Sequence, residues 1–259
     1  MPFIGNKPSA VPLTSADIAD SIITSAKIVD GTIVSGDINA SAAIPLSKLS
    51  TTGTADATTF LRGDGAYTAV SSDFVLLATT DASSSASVSF DGYYSSTYKN
   101  YQIIMSGVVP SAANALFYCR FRRSNADVTT SNYTAINNIA YQNAGGSSSP
   151  TSGAWNVAYG GINLIDYTSA SATYGGINST ISIFAPLNTS GYKHINCQLS
   201  FWEPSVAYFY VVQSAVSLLD ATTALSGITF YFSTGNITSG NFKLYGIKWK
   251  KLLIILNTI

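Results

Sequence analysis

Hydrolysis of a glycan needs two carboxyl groups held about 5–10 Å apart, one to donate a proton and one to attack or to activate water. The C-terminal part of this chain offers seven acids for such a pair: Asp73, Asp81, Asp91, Asp127, Asp166, Glu203 and Asp220. Glu203 is the only glutamate, and no two of the seven lie close in sequence, so only folding can pair them. A Ser-His-Asp triad would have to use His194, the single histidine, within the alternating stretch Tyr192-Lys193-His194-Ile195-Asn196-Cys197. No Gly-x-Ser-x-Gly elbow surrounds a serine, and neither a P-loop nor a dinucleotide fingerprint occurs. One histidine and two cysteines 78 positions apart, Cys119 and Cys197, are too few soft ligands for a Cys/His metal centre. The expectation is a non-enzyme with no catalytic residues, metal or cofactor. Its thiols are expected to be buried in strands, with a single Cys119–Cys197 bridge as the alternative.

Binding chemistry is better represented. Aromatic rings stack on the C–H faces of sugars, while neutral amides and hydroxyls read the OH groups. Tyrosine is abundant, at 16 residues, and Trp155 follows a long Ser/Gly-rich stretch in Trp155-Asn156-Val157-Ala158-Tyr159. Tyr133, Tyr141, Trp155 and Tyr159 are therefore the candidate glycan contacts, with packing in the core or between subunits as the competing role. Arg122 and Arg123 join them from the basic cluster that includes Arg120. Arg120 and Arg122 would share one face of a strand, where they could meet lipopolysaccharide phosphates or pair with acids between subunits.

Charged residues make up only 10% of the 259 positions, and 13 basic residues balance 13 acidic ones. A typical soluble domain carries roughly 25%. Zero net charge argues against nucleic acid as a partner, because phosphates demand excess Lys and Arg. No apolar run approaches the roughly 18 residues that would cross a bilayer, and the N-terminus lacks the basic and apolar regions of a signal peptide. The end, Lys248-Trp249-Lys250-Lys251 followed by Leu252–Leu256, would invite aggregation if exposed, and is read as a final strand covered by a neighbouring subunit, with an interfacial membrane contact as the alternative that its short length disfavours.

The elements that must hold these residues fall into two styles. Residues 16–50 repeat every five positions, with isoleucine at 18, 23, 28, 33 and 38, after which Ile44 and Leu49 fall one place late. Asp17, Lys27 and Asp37 mark a ten-residue superperiod, each just before an isoleucine. In an α-helix, residues five apart differ by about 140° and smear around the surface. In a straight strand an odd spacing sends them to opposite faces. The chain must therefore bend or wind once per repeat. A lone solenoid would have too few repeats to close a core, and a disordered linker would not keep a regular β-branched column. Several chains wound about one axis, three being the commonest fibre arrangement, would place Ile18, Ile23, Ile28, Ile33 and Ile38 on that axis.

Residues 51–72 read as a connector, in which Phe60-Leu61-Arg62-Gly63-Asp64-Gly65-Ala66-Tyr67 signals a sharp turn between two short extended pieces. The Arg62-Gly63-Asp64 triplet is better explained by that turn than as an integrin ligand. The opening Pro2-Phe3-Ile4-Gly5-Asn6-Lys7-Pro8, the Ala-Asp-Ile and Asp-Gly-Thr-Ile repeats and the connector together resemble tail fibre and appendage proteins of tailed bacteriophages, in marine podovirus or cyanophage style. The resemblance covers roughly residues 1–70. It implies a virion protein, a homotrimer, a segment 1–15 fixed to another virion structural protein, and a distal tip facing the host cell surface.

From residue 73 onward, segments of alternating polarity are broken by Ser, Gly, Asn and Pro clusters. Strands are predicted near 73–79, 86–90, 99–109, 115–123, 155–164, 177–184, 192–202, 206–216, 226–232 and 240–248. No stretch has a helical period. The expected fold is mainly β: an extended trimeric stalk followed, over 73–259, by an antiparallel, jelly-roll-like β-sandwich. Long loops, where binding is often found, are expected at 124–154 and 165–176. The expected function is host attachment by a tail fibre that recognises a cell-surface glycan. The alternatives are a purely structural virion component and, from another class, a glycan-degrading tailspike.

Overall fold

The computed structural model describes residues 14, 18–19, 21–39, 41–43, 45, 48, 50–70, 72–129, 133–143, 145–146, 148–155 (backbone only), 161–165, 168–203, 207–220 and 222–248. The expected attachment segment 1–15 (apart from Thr14), Ile44, Leu49, Tyr159, the Trp155 side chain, Asp166 and the tail from Trp249 lie outside these residues. Two compact units appear, Met1–Val70 and Ser71–Ile259.

In the first unit the five-residue period has a simple backbone cause. Hydrogen bonds from N–H to the carbonyl three residues back close turns from Ala19 to Ile22 (3.3 Å), Thr24 to Lys27 (2.9 Å), Val29 to Thr32 (3.1 Å), Val34 to Asp37 (2.9 Å) and Asn39 to Ala42 (2.8 Å). Each repeat is thus a four-residue turn plus one linking residue, and the linkers are Ile23, Ile28, Ile33 and Ile38. A further turn closes from Pro45 to Lys48 (2.9 Å), one position late, which is the slip in the sequence period.

The ten-residue superperiod also has a cause, because two kinds of turn alternate. Ser25–Lys27 and Ser35–Asp37 are 3-10 turns. In the turns before and between them, Ser21 (φ 67°) and Gly31 (φ 81°) occupy the third turn position with left-handed backbone, where glycine carries no Cβ penalty. Lys27 and Asp37 are the last residues of the 3-10 turns. Lys27 Nζ donates to the Ile22 carbonyl at 2.7 Å, and the Asp37 carboxylate accepts the Val34 N–H at 2.9 Å. The isoleucines stay bare: Ile18, Ile23, Ile28, Ile33 and Ile38 are between 39 and 56% exposed. Among the described residues of 18–48 whose exposure is defined, none is buried, so the repeats do not stack into a solenoid with a closed core.

The connector forms the expected hairpin. Strands β1 (Thr59–Leu61) and β2 (Tyr67–Ala69) pair antiparallel. The Arg62–Ala66 turn between them is closed by backbone hydrogen bonds and by an Arg62–Asp64 ion pair at 3.3 Å.

The second unit is all antiparallel β. Its strands are β3 (Phe74–Ser85), β4 (Ser87–Asp91), β5 (Tyr98–Pro110), β6 (Phe117–Arg123), β7 (Ala126–Asp127), β8 (Tyr133–Asn143), β9 (Ser148–Trp155), β10 (Ile162–Ile165), β11 (Ile177–Phe184), β12 (Lys193–Glu203), β13 (Tyr208–Leu218), β14 (Gly227–Phe232) and β15 (Ile237–Lys248). An eight-stranded sheet runs β3-β15-β5-β11-β12-β13-β8-β9, and a five-stranded sheet runs β10-β6-β14-β4 with β7 paired to β6. The division is larger and more unequal than the eight strands of a jelly roll.

Alternation in each strand sends one set of side chains inward. Tyr101, Ile103 and Met105; Ile195, Cys197, Leu199 and Phe201; Phe117, Cys119 and Phe121; and Ile228, Phe230 and Phe232 are all buried in one core. Rings cross between the sheets at Phe230–Phe242 (5.8 Å) and Phe121–Tyr133 (5.9 Å). Each fully buried apolar side chain of this size contributes roughly 1.5–3 kcal/mol. Cys119 and Cys197 are free, buried thiols.

The expected loop 124–154 is mostly strand. Ser124 (φ 46°) and Asn125 (φ 65°) form a two-residue turn of the kind that fits the twist of a β-hairpin, joining β6 to β7. β8 and β9 follow and pair with each other. The inward set of β8 includes Asn137, which blurs its alternation. β9 reads Ser-Ser-Pro-Thr-Ser-Gly-Ala-Trp, poor in β-formers, and as a terminal strand of the sheet it tolerates Pro150. The expected strand 155–164 is instead the end of β9 at Trp155 and the separate β10. Among the described residues of the 165–176 connection, the regular element after Ile165 is a 3-10 turn, Ala172–Tyr174.

Tyr133 ties these pieces together. Its hydroxyl accepts the Phe121 N–H at 3.1 Å and donates to the Val128 carbonyl at 2.8 Å, all in buried surroundings. Tyr133→Phe keeps the ring against Phe121 but orphans both backbone groups. A loss of about 1–3 kcal/mol is expected in urea unfolding of the protein; an unchanged midpoint would show that water replaces the hydroxyl without cost.

Candidate functional surface

The residues expected to touch a ligand are mostly committed to the fold. Arg120 and Arg122 do share the outer face of the small sheet, as alternation requires, but their acids lie in the same chain. Arg122 Nε donates to Asp91 at 2.6 Å, and its other nitrogens engage Asp127, Thr229 Oγ1 (2.9 Å) and the Asn125 carbonyl. Arg120 pairs with Asp127 at 3.7 Å and lies 4.4 Å over the Tyr231 ring, which stacks on Tyr118. Arg123 donates to Asp220 at 2.7 Å. Tyr133 is the core tie described above. Tyr141 belongs to a ladder of rings with Tyr208 (4.9 Å) and Tyr210 (5.5 Å), and Tyr210 stacks on Phe201. The backbone of Trp155 pairs with Ala135, six positions along β8 from Tyr141, so the two sit about 20 Å apart along the strand.

Folding brings two acids, Asp91 and Asp127, to one arginine. Burial works to raise the Asp91 carboxyl, but hydrogen bonds from Arg122 and Ser226 outweigh it and hold the group below its ordinary value. The Asp91 hydrogen bond in turn raises the Arg122 guanidinium. A carboxylate held ionised in this way is the opposite of a general acid, whose proton must stay on near neutrality. His194 is an exposed residue on the outer face of β12. Among the described residues, no three His, Cys, Asp or Glu side chains gather as metal ligands would.

The outer face of the large sheet has a different character. Register places Thr180, Gln198, Gln213 and Asn138 in one row across β11, β12, β13 and β8. The neighbouring row is Gln102, Ser182, Asn196, Ala215 and Ile136 across β5 to β8. Together they line a shallow depression of about 580 Å³ that contains no charged residue. The small sheet packs on the other side, and Asn138, Asn196, Gln198 and Gln213 are exposed. Side-chain amides present donors and acceptors together, the pairing that hydroxyl groups need. An ionic ligand would shed hydration here without meeting a counter-charge. Sequence alone identifies these positions only as the polar half of each strand. Their gathering depends on strand order, which no local pattern carries.

The Asp91–Arg122–Asp127 cluster gives the fold an acid dependence of known sign. A carboxyl depressed on folding contributes stability that is fully present above its ordinary value of 3.8 and is lost as pH falls through the depressed value. The urea midpoint should therefore fall between about pH 5 and pH 2. Arg122→Met should destabilise the protein at neutral pH and flatten that acid slope; a slope identical to the parent's would exclude this cluster as its source.

In comparisons with known proteins, no family model, no curated protein and no solved structure matches this chain.

Proposed function

We propose that this chain is a structural, non-enzymatic phage tail fibre. Three copies join through the repeat segment, a segment at residues 1–15 attaches to another virion protein, and the distal sandwich binds a host cell-surface glycan. The observation that carries the multi-chain half is the column of bare isoleucines at 18, 23, 28, 33 and 38, fixed by a turn in every repeat. β-branched side chains spaced this regularly along a backbone with no core of its own have their natural cover in further copies of the same column. The binding half is supported by the uncharged amide rows, whose chemistry suits a neutral, hydroxyl-rich polymer.

A second reading keeps the fibre and drops the receptor: a head fibre, decoration protein or baseplate adaptor. It is favoured by the internal pairing of Arg122, Arg123 and Tyr133, which leaves fewer of the expected contacts at the surface. The two readings part on binding. Fluorescently labelled full-length protein should adsorb to host cells and be released by a neutral polysaccharide prepared from them. Gln198→Ala with Gln213→Ala should weaken adsorption about tenfold or more, as expected when two to three ligand hydrogen bonds are lost. Adsorption unchanged by the double substitution would remove the amide rows from the site, and virions lacking the protein that still adsorb normally would favour the structural reading. Release of reducing ends from that polysaccharide would instead point to a tailspike.

A further inference from the structure

The amide rows continue along the strands. On β12 the outward side chains run Asn196, Gln198, Ser200 and Trp202, and register sets Val211 of β13 beside Ser200 and Phe209 beside Trp202. A second depression, of about 400 Å³, shares Thr180 and Gln198 with the first and reaches Ser200 and Val211. The surface therefore passes from amides, over short side chains, to a pair of rings. Phe209 is 44% exposed and Trp202 is half-buried. Same-face residues on one strand are about 6.6 Å apart, which sets Trp202 about 13 Å from Gln198 along β12.

This trough has a direction. Across the strands, the Gln198 row meets Ile104 on β5, with Lys243 of β15 in register beyond it. Along the strands, no charged side chain lines either depression. At the other end a further depression continues from Asn196 and Ala215 towards His194 and Ser217, so the trough passes through rather than stopping. Rings and amides divide the recognition of a neutral sugar polymer: ring faces cover C–H surfaces, and amides pair with hydroxyls. A single sugar ring cannot reach both from one place, whereas a chain of several can. We infer that Trp202 and Phe209 are ligand contacts, and that the trough takes an internal segment of a linear, neutral glycan laid along β12. This rests on the amide rows being a glycan site, and the experiment below separates the two.

Fragments of the neutral polysaccharide prepared from host cells, graded by length from the disaccharide upward, test this on the full-length protein. Affinity should rise with length until a fragment reaches the rings, and only those longer fragments should change tryptophan emission. Phe209→Ala should weaken the long fragments about fivefold and leave the short ones unchanged. Trp202→Phe should abolish the emission change, which an origin at either of the other two tryptophans would leave in place. Gln198→Ala with Gln213→Ala should weaken short and long fragments alike. Long fragments that ignore both ring substitutions, while the glutamine pair still weakens binding, would overturn the inference and leave the amide rows as the site. Fragments that bind regardless of the glutamine pair, or do not bind at all, would overturn both.

Discussion

The organising constraint is an isoleucine column that one chain leaves uncovered. A turn closed in each described repeat leaves a single linking residue between turns, and that residue is isoleucine at 23, 28, 33 and 38. Each turn closes a local backbone hydrogen bond, and none of the described residues of the repeats whose exposure is defined is buried. Apolar surface of this regularity then needs cover from outside, since each isoleucine removed from water is worth on the order of 1.5–3 kcal/mol. In the proposed fibre, association supplies that cover: each added copy covers a column and presents one.

The second unit answers the same problem differently. Its two sheets bury a continuous set of aliphatic and aromatic side chains, with rings bridging the sheets. Charge is concentrated in a few places, the largest being the Arg122 cluster on the small sheet, where it is internally neutralised. The rest of the surface relies on hydroxyls and amides. That division leaves the depression at the centre of the large sheet's outer face uncharged.

Much of this organisation is legible in the residues. The period-of-five pattern forces a bend in each repeat, and the Arg62–Gly65 tetrapeptide forces a hairpin, because both depend on local backbone geometry alone. Strands with strict alternation, such as β11, β12 and β14, can be located almost to the residue. β8 and β9 could not, since Asn137 interrupts one inward set and serine, glycine and proline fill the other strand. Their stability comes from neighbours rather than from propensity. The candidate surface was the least legible part. Arginines and tyrosines look like ligand contacts in one dimension, yet Asp91, Asp127 and the Val128 carbonyl, none of them next in sequence to the residue it holds, claim Arg122 and Tyr133 for the fold. The amide rows join residues from five strands whose order is set only by the tertiary structure.

Native mass tests the multi-chain stalk most directly. Light scattering of the full-length protein, separated by size, should return three times the 27.2 kDa of the chain. With Ile23→Asp and Ile33→Asp together that mass should fall, because charge would then have to be buried on the axis. A parent protein that runs as a single 27.2 kDa chain with folded distal strands would contradict the multi-chain stalk and everything built on it.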